Sequence, residues 1–416
     1  MGTQEDRPIE LHRTERYVLH DEIATGGMAS VHLGVLEGAL GFSRIVAIKR
    51  LHGALASDGR FVSMLIDEAR LVSRIRHVNV VTTLDIIERS GEVFVIMEYV
   101  RGASLAKLIE LSRTLGDLVP LPVAIPIMVG ALRGLGAAHD ATDLDGTPLE
   151  IVHRDVSPQN ILVGTGGVPR VIDFGVARAV GRLSDTRSGE FKGKLAYASP
   201  EQLSGGEATR QSDVFAASIV LWELITGRRL FHRPTPLETL REALDAQIRS
   251  PTAIFDEDER MRAARNRHDL EALSEVVMRG LERDPAKRFA TAEAMAQSLE
   301  TSYRGASASE VGAWVQSTAA HDLARDLSIV ARAEALMAAR AQTARVSRAS
   351  FTAEAKTVVA RPGAPSPPQG ANGDVSPPPG PSSAHRMLAL AVVVAIAAAL
   401  GAAVGGALVA RMLVTP

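Results

Sequence analysis

The 416-residue sequence predicts an α+β chain of two lobes, β-rich then mostly helical, with one apolar helix near the C-terminus. Three observations carry this. Short alternating runs rich in β-branched residues fill residues 17–100, interrupted by one helical stretch. Long helical patterns dominate after Ser104. Residues 387–410 are uncharged and almost wholly apolar between Arg386 and Arg411.

The elements follow in order. Residues 1–16 form a polar N-terminal arm without the apolar core of a signal peptide. The helix inside the β-rich part is expected over residues 60–76 and carries Glu68. Phe94-Val95-Ile96-Met97-Glu98-Tyr99-Val100 reads as a buried strand. Helices are expected over 123–140 and 212–226. Pro126 sits near the start of the first, where its missing N–H is tolerated. The polar stretch 140–150, with Asp145-Gly146, predicts a small hairpin insertion. Beyond residue 300 the composition shifts to Ala and Arg. Residues 301–360 are expected to be helical, most clearly over 309–340, with Trp314, Leu323, Leu327 and Val330 as packing residues.

Residues 361–386 are rich in Pro, Gly and Ser and read as a tether. Residues 387–410 exceed the roughly 20 residues that span a bilayer core, so a transmembrane helix is expected. A buried Ala-rich helix is the alternative. Gly401 and Gly405 give a small-xxx-small spacing that would let two such helices pack as a homodimer. The tail, 411–416, is too short for a sensor domain on the far side. Input is therefore expected from the cytoplasm, the membrane or the Ala/Arg region. Arg386 and Arg411 flank the helix almost symmetrically, so its orientation rests on function.

The formal net charge of −2 gives no global field for nucleic acid, and no nucleic-acid partner is expected. The absence of cysteine excludes disulfides, thiolate catalysis and zinc–cysteine sites.

The chemistry is concentrated in His153-Arg154-Asp155-Val156-Ser157-Pro158-Gln159-Asn160, followed by Ile172-Asp173-Phe174-Gly175. Phosphoryl transfer needs a carboxylate at the acceptor hydroxyl, oxygen ligands for Mg²⁺ and cationic clamps on the phosphates. These motifs closely resemble the catalytic loop and metal-binding turn of protein kinases. The rest of that pattern appears in order. Val46-Ala47-Ile48-Lys49 is similar to the strand of the ATP lysine, 19 residues before Glu68. His77-Val78-Asn79-Val80-Val81 resembles the turn after that helix. Ala198-Ser199-Pro200-Glu201 resembles the close of the activation segment, with Ser in an Ala position. Asp213 resembles the buried aspartate that holds the catalytic loop. Arg288, in Arg283-Asp284-Pro285-Ala286-Lys287-Arg288-Phe289, resembles the arginine that pairs with Glu201. The resemblance covers residues 17–299, within an expected kinase domain of 17–300. Gly26-Gly27-Met28 makes it most similar to the bacterial eukaryotic-type Ser/Thr kinases.

The resemblance implies a two-lobed kinase fold on the cytoplasmic side, with ATP and Mg²⁺ as cofactors and proteins as substrates. Asp155 would accept the acceptor hydroxyl proton, Lys49 would hold the phosphates in a pair with Glu68, and Asn160 and Asp173 would bind Mg²⁺. Ile23, Ala24, Thr25, Gly26, Gly27, Met28, Val31 and Ala47 would surround the nucleotide. Met97 would be the gatekeeper, and the Glu98 and Val100 backbones would meet adenine. Arg154 would bind a phosphate placed on the activation segment at Ser184, Thr186 or Ser188.

Two departures stand out. Ala24 and Ala29 replace the outer glycines of the nucleotide loop, where backbone N–H groups approach phosphates. Ser157 stands where Ser/Thr kinases carry a lysine, and Lys194 where they carry a threonine. Both positions face the catalytic aspartate in the family, so Lys194 is expected to supply the displaced charge and to act catalytically. The alternatives remain a solvated Lys194 in a crippled site, and a pseudokinase scaffold that binds nucleotide or partners without transfer. Tyr or small-molecule acceptors form a further rival, because the missing lysine removes the best discriminator.

Overall fold

The computed structural model describes residues 16–26, 29–38, 42–51, 59–89, 91–174 and 195–357. The chain divides into two compact units, 1–348 and 349–416. Of the second, only residues 349–357 are described. The tether 361–386, the apolar stretch 387–410 and the tail lie outside the described residues.

The first lobe is a five-stranded antiparallel sheet of β1 (Arg16–Thr25), β2 (Ala29–Glu37), β3 (Ser43–Leu51), β4 (Thr83–Arg89) and β5 (Glu92–Glu98), in the order β1-β2-β3-β5-β4. Direct partners across the strands are Val31, Lys49 and Val95 in one row, and Leu33, Ala47 and Met97 in the next. Side chains alternate between faces, so these rows share one face. The opposite face buries Tyr17, Val46, Ile48, Phe94 and Ile96 as a separate core.

Helix α1 (Gly59–Val72) packs Val62 against Ala29, Leu51 and Val93. It stops short of the expected Arg76. The Arg74 and Ile75 amides turn back three residues, to Leu71 and Val72, and the Ser73 hydroxyl donates to the Arg70 carbonyl. Such bonds tighten and close a helix end.

The second lobe opens with β6 (Gly102–Ser104), α2 (Leu105–Thr114) and α3 (Leu121–His139). A 3₁₀ turn, Pro158–Asn160, leads into β7 (Ile161–Gly164), which pairs with β6 and with β8 (Pro169–Val171). Then come α4 (Pro200–Leu203), α5 (Arg210–Thr226), α6 (Pro236–Asp245), α7 (Pro251–Glu257), α8 (Glu259–Ala264), α9 (Arg267–Gly280) and α10 (Ala292–Ser302). Helices α3 and α5 are apolar on nearly every side, which suits burial from all directions, and both lie in the main core. Among the described residues α3 alone is long and apolar enough to cross a membrane, and it is buried.

The stretch 140–150 forms a turn closed by the single bridge Thr142–Pro148. The helical region beyond 300 is α11 (Ala308–Thr318) and α12 (Ala320–Thr357), broken at Ala319, where no Gly or Pro announces it. Leu323 is buried as expected. Leu327 is not: it is 42% exposed, and Ile329 and Ala333 fill the apolar contact instead. Ile329 and Ala333 lie four apart on the buried stripe, and Leu327 falls off it.

Candidate active site

Asp213, buried in α5, organises the loop that carries the chemistry. Its carboxylate accepts from the backbone N–H groups of His153 and Arg154, both at 2.8 Å, and from His139 Nε2 at 2.8 Å. Arg154 needs this support, because its φ of 69° lies in the left-handed region that costs a non-glycine residue about 1–2 kcal/mol. Gln202 of α4 donates to the Arg154 carbonyl at 3.2 Å.

His153 then joins the loop to the following turn. Its Nε2 donates to the Ile172 carbonyl at 2.8 Å, which leaves Nδ1 to accept from the Asp155 amide at 3.2 Å. Its ring rests 4.6 Å from that of Phe174. Asn160 Nδ2 donates to the Asp155 carbonyl at 2.8 Å and to its Oδ2 at 3.3 Å. The Ile172 amide donates to the Asn160 carbonyl at 3.0 Å. Asp155 and Asn160 are thereby held together and tied to the segment that carries Asp173.

Asp173 has a φ of 62°, and its Oδ1 accepts from Lys49 Nζ of β3 at 2.6 Å. This ion pair joins the two lobes. Glu68, the partner expected for Lys49, lies on α1, and its side chain is outside the described residues. A cavity between α1 and the sheet brings Lys49, Val72, Thr83, Met97, Asp173 and Phe174 to one place. At the hinge the Glu98 amide donates to the Thr82 carbonyl at 3.0 Å.

Of the other residues expected around a nucleotide, Val31 and Ala47 share the sheet face of Lys49. Ala24, Thr25 and Gly26 are exposed at the β1–β2 turn, where the Gly26 amide donates to the Ala29 carbonyl at 2.9 Å. Ile23 is partly buried against Val18, Leu33 and Val35. Val100 follows β5 and is partly buried. Gly27, Met28, Lys194, Ser184, Thr186 and Ser188 lie outside the described residues. Ser157 is buried and accepts the Asn160 amide at its carbonyl.

Two buried charge sets brace the segment after Lys194. Arg288 binds Glu201 through both guanidinium nitrogens, at 2.8 and 2.9 Å, and Ser212 donates to the same carboxylate at 2.7 Å. Burial alone would push the Glu201 carboxyl up. The Arg288 and Ser212 hydrogen bonds outweigh it and hold the group at about 2. Tyr197 donates to Glu223 at 2.8 Å beside Arg229. Burial pushes the Glu223 carboxyl up, against the pull of Arg229, and pushes the Tyr197 phenol up with it.

The donor set fits Mg²⁺. Asp173 and Asn160 are hard oxygen donors, and with its nitrogen committed to Asp155, Asn160 presents its amide oxygen. No group of three or more His, Cys, Asp or Glu forms a metal cage among the described residues.

The sequence did not single out His139 or Gln202 for this site. Gln202 had a signal: it stands three residues after Ser199 at a helix start, and a capping box forms there. His139 had none.

Residues 17–299 match the model of the protein kinase domain. The tyrosine-protein kinase MasK of Myxococcus xanthus is 38% identical over 286 residues, 68% of this chain and 42% of that protein. The serine/threonine-protein kinase PknL of Mycobacterium tuberculosis is 33% identical over 285 residues, 68% of this chain and 65% of that protein. PrkC of Bacillus subtilis, a serine/threonine-protein kinase, is 32% identical over 288 residues, 69% of this chain and 40% of its own length. The crystal structure of the M. tuberculosis PknI kinase domain shares the fold, with a TM-score of 0.50 at 22% identity, over 69% of this chain and 96% of that one. The chain belongs to the protein kinase family. It spans between 40% and 65% of the length of these curated relatives.

Proposed function

We propose that the chain transfers the γ-phosphoryl group of Mg-ATP to Ser and Thr hydroxyls of proteins. One observation carries this reading: Lys49 grips Asp173 at 2.6 Å, next to a loop in which Asn160 holds Asp155. The four groups that phosphoryl transfer requires thus stand in one connected network. Lys49 moves between Asp173 and the phosphates, with Glu68 as its second partner. Asp155 orients the acceptor hydroxyl and takes its proton. Asn160 and Asp173 hold Mg²⁺, which neutralises charge on the phosphates when bound. Gly26, Gly27 and Met28 cover the nucleotide, and Met97, Glu98 and Val100 meet adenine.

Lys194 supplies the cation that Ser157 cannot. The kinase transfers the γ-phosphoryl of ATP to its own activation segment at Ser184, Thr186 or Ser188, releasing ADP, and the Arg154 guanidinium pairs with the phosphate that stays on that hydroxyl. Residues 387–410 anchor it in the membrane, with the kinase domain cytoplasmic, and Gly401 and Gly405 pair two copies.

A tyrosine acceptor is the second reading. The relative named as a tyrosine kinase favours it, and the serine at position 157 removes the lysine that would have discriminated against it. Incubation of the purified chain with Mg-ATP and a generic protein substrate, followed by phosphoamino-acid analysis, separates them. Phosphoserine and phosphothreonine are expected. Phosphotyrosine alone would move the assignment to the second reading, and no transfer would leave a scaffold.

A further inference from the structure

The family match ends at residue 299, yet the folded chain continues for another 58 described residues, 300–357. Within the first compact unit, α11 and the start of α12, as far as Met337, touch both lobes. On the lower lobe, Val311, Val315, Ala319 and Leu323 recur every four residues and enter the main core. Gln316 Nε2 donates to the Thr165 carbonyl at 3.0 Å. The approach is close enough to require glycine on both sides. A Cβ on Gly167, which has a φ of +77°, would stand 1.8 Å from the Ala308 carbonyl oxygen, and one on Gly312 would stand 2.5 Å from that of Thr165.

The stripe then changes lobe. Ile329, Ala333 and Met337, again four apart, pack with Val18, Leu33, Val35 and Ile45 of the sheet. The crossover lies beside the hinge. Lys107 of α2 faces Asp322 at 3.9 Å, and Tyr99 packs in the same cluster as Ile329. Arg332 closes the upper end with an ion pair to Asp21 at 2.6 Å.

The face that Ile329 covers gives the contact its meaning. Leu33 and Val35 follow Val31 at alternate positions of β2, and Ile45 precedes Ala47 and Lys49 at alternate positions of β3. Side chains two apart share a face. Helix α12 therefore occupies one end of the very face whose middle carries Val31, Ala47 and Lys49.

We propose that α11 and α12 form an interlobe strap that sets the angle between the lobes and so the affinity for nucleotide. The strap is pinned to the catalytic lobe at Thr165–Gly167, passes the hinge at Tyr99, and holds the nucleotide-facing side of the sheet. Opening the lobes shears Ile329 and Ala333 off the sheet, so the strap favours the closed arrangement. The proposal rests on the nucleotide site proposed above, and the test separates the two.

The purified chain is titrated with Mg-ADP, and hydrogen exchange is followed over residues 96–104. Ile329→Asp is expected to weaken Mg-ADP by about fivefold or more and to speed exchange at the hinge. Ile329→Leu restores both. Leu327→Asp, on the exposed side of the same helix, leaves both unchanged. Should Ile329→Asp fail to fold, the charge pair decides: Arg332→Asp weakens Mg-ADP by about twofold, and adding Asp21→Arg recovers it. The strap is overturned if affinity and exchange stay at wild-type values in the variants that fold, or if Leu327→Asp does the same as Ile329→Asp. Wild-type protein that binds no Mg-ADP would sink the nucleotide reading alone, because hinge exchange still reports the strap.

Discussion

Asp155 is placed by bonds to its own backbone and its neighbours. His153 Nδ1 takes its amide, and Asn160 takes its carbonyl and touches its carboxylate. Asp155→Asn should therefore keep Mg-ADP binding and thermal stability while lowering phosphotransfer by about 10²–10⁴-fold. Retained activity in a single-turnover measurement would remove Asp155 from its role. Ser157 and Lys194 form a second residue-scale test. Lys194→Thr should cut kcat, and adding Ser157→Lys should recover part of it, since two groups serving one phosphoryl are non-additive. Additive effects in that cycle reject the exchange. Glu201 gives a pH test. Its carboxyl titrates at about 2 when folded against an ordinary 4.5, so its stabilisation is complete above pH 4.5 and is lost as pH falls toward 2. Unfolding midpoints between those values should drop more steeply in the native protein than in Glu201→Gln. That Asp155, Asn160, Asp173 and Lys49 would meet was legible in the sequence, because the motifs that carry them keep a fixed order and spacing along the chain. His139 was not, because no motif marks it and its partner Asp213 meets it only in the fold, and Gln202 was announced only as a capping-box residue, not as a partner of Arg154.

At the scale of elements, hydrophobic period was a good guide where a helix is buried all round. Helices α3 and α5 fall within two residues of the ranges their sequences suggest. It was a poorer guide where an end is set by turn geometry, as at Val72, or where one stripe must serve two surfaces, as in α12. There Leu327 reads as core by composition and lies on the open side, because the stripe shifts by six residues between Leu323 and Ile329. The β7–β8 turn shows the opposite limit. Nothing in Thr165-Gly166-Gly167 announces a helix against it, yet Gly167→Ala must displace the Ala308 carbonyl and strain a left-handed residue. That variant should lose about 1–3 kcal/mol in denaturant unfolding. Gly166→Ala, whose Cβ meets nothing within 4 Å, should lose far less.

For the whole molecule, the anchor is the proposal with the plainest test. The 416-residue chain should pellet with membranes and resist carbonate extraction, and a chain ended before Arg386 should stay soluble. Recovery of the longer chain in the soluble fraction would refute the anchor and leave residues 387–410 as a buried or partner-binding helix. The route of the strap carries a mechanical consequence. Tension that enters the first compact unit through α12 meets, among the described residues of its apolar stripe, Met337, Ala333 and Ile329 on the sheet before any other. Leu323, Val315 and Val311, in the catalytic lobe, come last along the chain. A pull therefore strips α12 from the sheet, one helical turn at a time, before it strips Leu323, Val315 and Val311 from the catalytic lobe. In an optical trap this protein should yield first in a small, reversible step of a few turns of helix, with the catalytic lobe still folded behind it.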